Sequence, residues 1–139
     1  MHILDTDTLT HLHAGNHRVV ERLRTLADPE VRTTIITKIE LLRGRFDFVL
    51  KAEDRNALLR AQQWLQRTEA LLAQIPILLL DEQAINEFER LQANRRVRKI
   101  GRADVLIASI ALSRRATLVT RNLRHFRQIP NLKVTNWVD

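Results

Sequence analysis

Five short apolar runs, His2–Leu4, Val31–Ile36, Ile77–Leu80, Ala116–Val119 and Leu132–Val134, are separated by longer segments with helical spacing. This alternation is the strongest constraint on the fold. Runs this brief, partly β-branched and bounded by turn or cap residues, predict strands. Between them, Val19, Val20, Leu23 and Leu26 share one face of a helix, and Leu58, Ala61, Leu65, Thr68 and Leu72 run down a long one. Trp64 and Leu71 widen that second stripe, marking Trp64 as a core or subunit-contact residue. Ala84, Ile85, Phe88 and Leu91 mark a further helix, and Val105, Ala108, Ala111 and Leu112 another. Asp28-Pro29, Ile75-Pro76 and Ile129-Pro130 punctuate the boundaries. Strand–helix alternation predicts an α/β protein: one three-layer α/β/α domain over residues 1–139 with a mostly parallel central sheet.

In such a sheet the ligand site lies at the carboxyl ends of the strands, so the residues after each strand matter most. Asp5 and Asp7 follow the first, in MHILDTDTL. Glu40 follows the second, in TTIITKIELLRG, in the first turn of the next helix. Asn122 follows the fourth, in TLVTRN, and Asp104 opens the helix of GRADVLIASIALS. Each has a purely structural reading. Asp5 and Asp7 suit a helix cap, Thr37 and Glu40 form a T-x-x-E capping box worth ~1 kcal/mol, and Asp104 suits a helix start. Together they mean more. Carboxylates ~4 Å apart repel by about 4 kcal/mol at an effective dielectric of 20, which a bound cation relieves. An all-oxygen set without His or Cys suits Mg²⁺ or Mn²⁺.

The remaining composition narrows the classes. The absence of cysteine excludes disulfides, thiolate catalysis and zinc–thiolate sites. The sequence shows neither a membrane-length apolar run nor a signal-peptide pattern, which predicts a cytoplasmic protein with no membrane partner. The net charge is +7. Arg90–Gln128 holds 11 Lys/Arg against one acid, Asp104. Arg95, Arg96, Arg98, Lys99 and Arg102 precede that acid, while Arg121, Arg124 and Arg127 follow the fourth strand. Such a distribution predicts either a polyanionic partner or a solvated helix face. With four Phe, two Trp and no Tyr, base stacking is expected to be minor. His11 and His13, two apart, point to different helix faces and form no metal pair. His125 reads as a surface histidine near the site, and Trp137 as packing for the last strand.

MHILDTDTL, TTIITKIELLRG, IGRADVLIASIALSRRATLVTRNLRHF and the closing LKVTNWVD resemble, in order and spacing, the PIN-domain ribonucleases. The likeness is strongest to the VapC-type toxins of toxin–antitoxin pairs and covers essentially the whole chain. The resemblance implies an α/β/α fold and a Mg²⁺- or Mn²⁺-dependent endoribonuclease leaving 5′-phosphate and 3′-hydroxyl ends. It also implies tRNA or another structured RNA as substrate, a homodimer, and a cognate antitoxin that blocks the site. Asp5, Glu40 and Asp104 match the family's metal-binding acids. Asn122 stands at the fourth position, where many relatives have Asp, and its lack of charge leaves one ion or two open. Asp7 stands where relatives usually carry Asn. Thr6 and Thr120 are auxiliary candidates through their hydroxyls, with local capping as the alternative. Two other functions fit parts of the chain. One is a non-catalytic RNA- or antitoxin-binding protein. The other is a haloacid-dehalogenase-type phosphatase with Asp5 as nucleophile and Asp7 as acid/base, for which the later acidic pair is missing.

Overall fold

A computed structural model describes residues 1–139. The strands are β1 (His2–Leu4), β2 (Val31–Thr34), β3 (Ile77–Leu78), β4 (Thr117–Val119) and β5 (Lys133–Thr135). The helices are α1 (Thr6–His13), α2 (His17–Thr25), α3 (Ile35–Lys51), α4 (Arg55–Gln74), α5 (Glu82–Gln92), α6 (Arg95–Arg98), α7 (Arg102–Ser113) and α8 (Leu123–Phe126). All four strand pairings are parallel, in the order β3-β2-β1-β4-β5. The expected parallel α/β/α architecture is therefore present.

Two hydrophobic clusters cover the two faces of the sheet. Ile3 and Leu118 join α5, α6 and α7 residues such as Leu91, Val97, Val105, Ile107 and Ile110. Leu4 and Val119 join Leu9, Val19, Leu41, Leu72 and Trp137. Adjacent residues of β1 and of β4 thus enter opposite clusters, as the period of two in a strand requires. Trp137 packs as expected, buried, with its ring 5.7 Å from His2. Trp64 does not. It is 42% exposed, lies under the Arg45 guanidinium and meets His13 edge-on. No helix is long and apolar enough to cross a membrane.

Several boundaries differ from the sequence pattern. The second strand ends at Thr34, not Ile36. The Thr34 side chain caps α3 by accepting from the Thr37 N–H at 3.1 Å. Ile35 and Ile36 are therefore the first helical residues, despite their β-branched character. The capping box expected at Thr37 and Glu40 does not form, and Glu40 lies in the second turn of α3 rather than the first. Residues 6–13 form a helix of their own, capped by Asp5. The third strand is two residues long, Ile77–Leu78.

Candidate active site

Chain order reverses in the sheet between β1 and β4, so the crevice opens where these two strands end. Asp5 follows β1 directly. Its N–H donates to the Val119 carbonyl at 3.1 Å, and its carboxylate accepts the Thr8 N–H at 2.9 Å. The capping role and the site role thus belong to the same side chain. Thr8 Oγ1 donates to the Val119 carbonyl at 3.1 Å, and Thr33 Oγ1 to the Leu4 carbonyl at 2.8 Å. The Val119 carbonyl thus accepts both the Asp5 N–H and the Thr8 hydroxyl at the end of the sheet.

A cavity of about 170 Å³ lies over these strand ends, lined by Asp5, Thr6, Asp7, Glu40, Asp104, Ile107, Asn122 and Phe126. All four sequence-predicted acids and Asn122 meet there from four separate stretches of chain. Glu40 is held by Thr6, whose Oγ1 donates to Oε1 at 2.6 Å and lies 3.0 Å from Thr37 Oγ1. Thr6 therefore orients a carboxylate. Thr120 is fully buried, and its Oγ1 accepts the Asn122 N–H at 3.0 Å, the local contact that capping chemistry offers. Asp7 is exposed, with Oδ2 3.6 Å from His11 Nδ1. The Asn122 side-chain nitrogen lies 2.9 Å from His125 Nδ1, and that ring nitrogen is 4.0 Å from Asp104 Oδ2. His125 thus belongs to the site more closely than its surface position suggested. The signal was its place three residues after Asn122, one turn along α8.

Burial is the main influence that raises the Asp104 carboxyl above its ordinary range, followed by the charges of Glu40 and Asp5; His125 opposes it. Asp5 is also raised, by burial above all, against the hydrogen bonds of Thr120 and Thr8. A raised folded-state pKa means that ionisation opposes folding. Stability is therefore greatest with the carboxyl protonated and is lost as pH rises through its folded pKa. Asp104→Asn is expected to melt higher than wild type in EDTA above neutral pH, and the gap should close in acid. Solvent screening at this partly exposed carboxylate limits the effect to about 1 kcal/mol, or roughly 2–4 °C by calorimetry.

No three His, Asp or Glu side chains are drawn tightly enough to chelate an ion as placed. The donor chemistry nevertheless fits a hard cation. The cavity offers carboxylate, amide and hydroxyl oxygens with no soft ligand. Mg²⁺ keeps several waters and takes only one or two carboxylates directly.

Basic side chains cluster on the elements that precede and follow the acids in sequence. Arg95, Arg96 and Arg98 form the short α6, Lys99 caps its end, and Arg102 begins α7 two residues before Asp104; all five are exposed. Arg102 stacks on Phe88, its guanidinium carbon 5.1 Å from the ring centroid. Arg121 is engaged, its Nε 3.2 Å from Asp139 Oδ2, and Arg124 is exposed on α8.

A five-stranded parallel sheet carrying acids from β1, α3 and α7 over its central switch point defines a recognised domain class. The PIN domain family model matches residues 3–132, and the chain belongs to that family. Among curated proteins it is 28% identical to Ribonuclease VapC1 of Haemophilus influenzae (strain R2866) over 142 residues, 99% of this chain and 98% of the relative. It is 55% identical to Ribonuclease VapC2 of Rickettsia felis over 38 residues, a stretch covering 27% of this chain and only 28% of that protein. Solved structures with the same fold include VapBC2 from Rickettsia felis bound to a DNA fragment from its promoter, with a TM-score of 0.81 at 24% identity over 98% of both chains. VapBC-1 from nontypeable Haemophilus influenzae has a TM-score of 0.78 at 26% identity over 99% of this chain and 98% of that one. The sheet order alone does not separate a PIN domain from a phosphatase of the Asp5/Asp7 type. The family match decides for the former.

Proposed function

We propose that this chain is a metal-dependent endoribonuclease, the toxin of a VapBC-type pair. It acts in the cytoplasm as a homodimer that a cognate antitoxin restrains. The observation that carries the reading is the shared cavity of Asp5, Glu40, Asp104 and Asn122 at the sheet's switch point, beside exposed arginines. The full-length VapC relatives, named as ribonucleases, and the VapBC neighbours support it.

In this reading Asp5, Glu40 and Asp104 hold Mg²⁺ or Mn²⁺, with Asn122 contributing a neutral oxygen. A bound divalent ion supplies Lewis-acid stabilisation of phosphate charge and a more acidic water. Thr6 keeps Glu40 turned to the cavity. Ile107 and Phe126 give it an apolar wall that limits water. Arg95, Arg96, Arg98, Lys99, Arg102 and Arg124 hold RNA phosphates, with Arg121 joining when released from Asp139. Cleavage leaves 5′-phosphate and 3′-hydroxyl ends on tRNA or another structured RNA.

The test is cleavage of total cellular RNA by the purified, partner-free chain, with Mg²⁺ or Mn²⁺ and then EDTA. Cutting that requires the ion supports the proposal. RNA binding without cutting, together with no Mn²⁺ binding by calorimetry, would instead establish the non-catalytic reading, for which the uncharged Asn122 speaks.

Two further outcomes are expected. Thr6→Val removes the donor that orients Glu40 while keeping the side chain's shape, and Mn²⁺ affinity should fall about 10-fold or more, as for other groups that orient metal ligands. Phosphate contacts release counterions, so RNA affinity should fall linearly on a log–log plot against salt. Arg98→Gln should reduce that slope by about 1 if Arg98 contacts a phosphate. An unchanged slope would make α6 a solvated face.

A further inference from the structure

A second cavity, of about 280 Å³, opens at the other end of the sheet. Its walls come from α5, the end of α7 and the starts of β4 and β5. The polar lining is Glu87, Arg90, Arg115, Asn131 and Lys133, three cations against one carboxylate. Glu87 is engaged by Arg90, whose Nε donates to it at 3.0 Å. Arg115 and Lys133 have no carboxylate partner, since no ion pair of the chain involves either.

The backbone adds an independent observation. Arg115 (φ 53°) and Asn131 (φ 67°) are the only non-glycine residues with positive φ, and both line this cavity. Arg115 ends α7 in a Schellman turn. The Ala116 N–H donates to the Ala111 carbonyl at 3.0 Å, and the Arg115 N–H to the Leu112 carbonyl at 3.1 Å. Glycine suits that left-handed position because it has no Cβ to clash. An arginine there runs against local preference, and such outliers cluster at ligand sites. Offsetting the helix dipole does not require it, because the adjacent Arg114 already stands at the helix end, paired with Asp81 at 3.4 Å.

We propose that this cavity is an anion site, separate from the acidic one, that takes a dianionic phosphate between Arg115, Lys133 and the Asn131 amide. The phosphate is either free or the terminal phosphate of a nucleotide. A guanidinium matches two phosphate oxygens at once, and the ammonium adds a point charge. The inference stands independently of the nuclease reading.

The test is thermal melting and ¹H–¹⁵N NMR titration of the full chain with inorganic phosphate, and with AMP, against sodium chloride at matched ionic strength. Wild type should gain stability in phosphate beyond chloride, with the Asn131 and Arg115 amide signals shifting. Arg115→Gly should melt higher than wild type in chloride, because glycine fits the turn, yet bind phosphate 10-fold or more weakly. Lys133→Gln should weaken binding with no such gain in chloride, and Lys51→Gln, on α3, should bind as wild type does. Tighter binding of AMP than of phosphate assigns the site to a nucleotide, and equal affinity to free phosphate. No phosphate-specific gain in wild type, or the same affinity in both cavity variants, would overturn the proposal.

Discussion

Replacing Asp104 by alanine is expected to lower ion-dependent RNA cleavage by at least a hundredfold to a thousandfold, leaving a folded protein. A loss of that size corresponds to about 3–4 kcal/mol of transition-state stabilisation, within what one ion and its charge compensation supply. Asp104 is the appropriate residue to test because the fold holds it in the first turn of α7 against repulsion from Glu40 and Asp5. Burial first and these charges second raise its carboxyl, and the cation of the proposed function would relieve both. Asp104→Asn separates chemistry from folding, since it should be as inactive as alanine yet melt above wild type in EDTA. Adding Mn²⁺ should reverse the ranking, because ligand at 100 times its dissociation constant adds about 2.7 kcal/mol to the wild type alone. Cleavage that persists in Asp104→Ala would remove the acid from the proposed mechanism.

Phe126→Ala is expected to cost about 3–5 kcal/mol of folding stability, read as a lower urea midpoint at unchanged slope. Phe126 is 1% exposed, belongs to the larger hydrophobic cluster and also walls the acidic cavity. It is the only buried residue of α8, the four-residue helix that carries His125 and is entered from Asn122. A helix so short has little stability of its own, so its anchoring depends on this ring. The variant should therefore also lose Mn²⁺ affinity under conditions where it remains folded. Leu118→Ala is the control. Leu118 is fully buried in β4 within the same cluster but does not line the cavity. Its loss should cost about 2–5 kcal/mol while leaving metal affinity intact.

The sheet and the acids were legible because each rests on a local signal. Apolar runs mark the strands, Asp5 directly follows one, and Glu40 and Asp104 stand near the starts of amphipathic helices. What the sequence concealed depended on choices between neighbours. Thr34 and Thr37 are both good caps three residues apart, and the pairing of β2 with β3 at Thr34–Leu78 selects the earlier one. Trp64 falls on an apolar helical stripe, but only tertiary placement reveals that its ring meets Arg45 and His13 instead of the core. His125 carries no pattern of its own, and its nearness to Asp104 arises only when α7 and α8 are packed together. The cavity of Arg115 and Lys133 was hidden for the same reason, as nothing in the order of residues places Asn131 and Arg90 together.

The central position of β1 bears on synthesis as well as on geometry. β1 lies between β2 and β4, with His2 aligned to Val31 on one side and to Thr117 on the other. During synthesis β1 thus keeps one edge bare until β4 has been made. Asp5 and Glu40 emerge early, whereas Asp104 and Asn122 come late, and the cavity has no far wall before then. The acids of one small cavity are thus separated by most of the sheet's connections, and the site is complete only when β4 has docked beside β1.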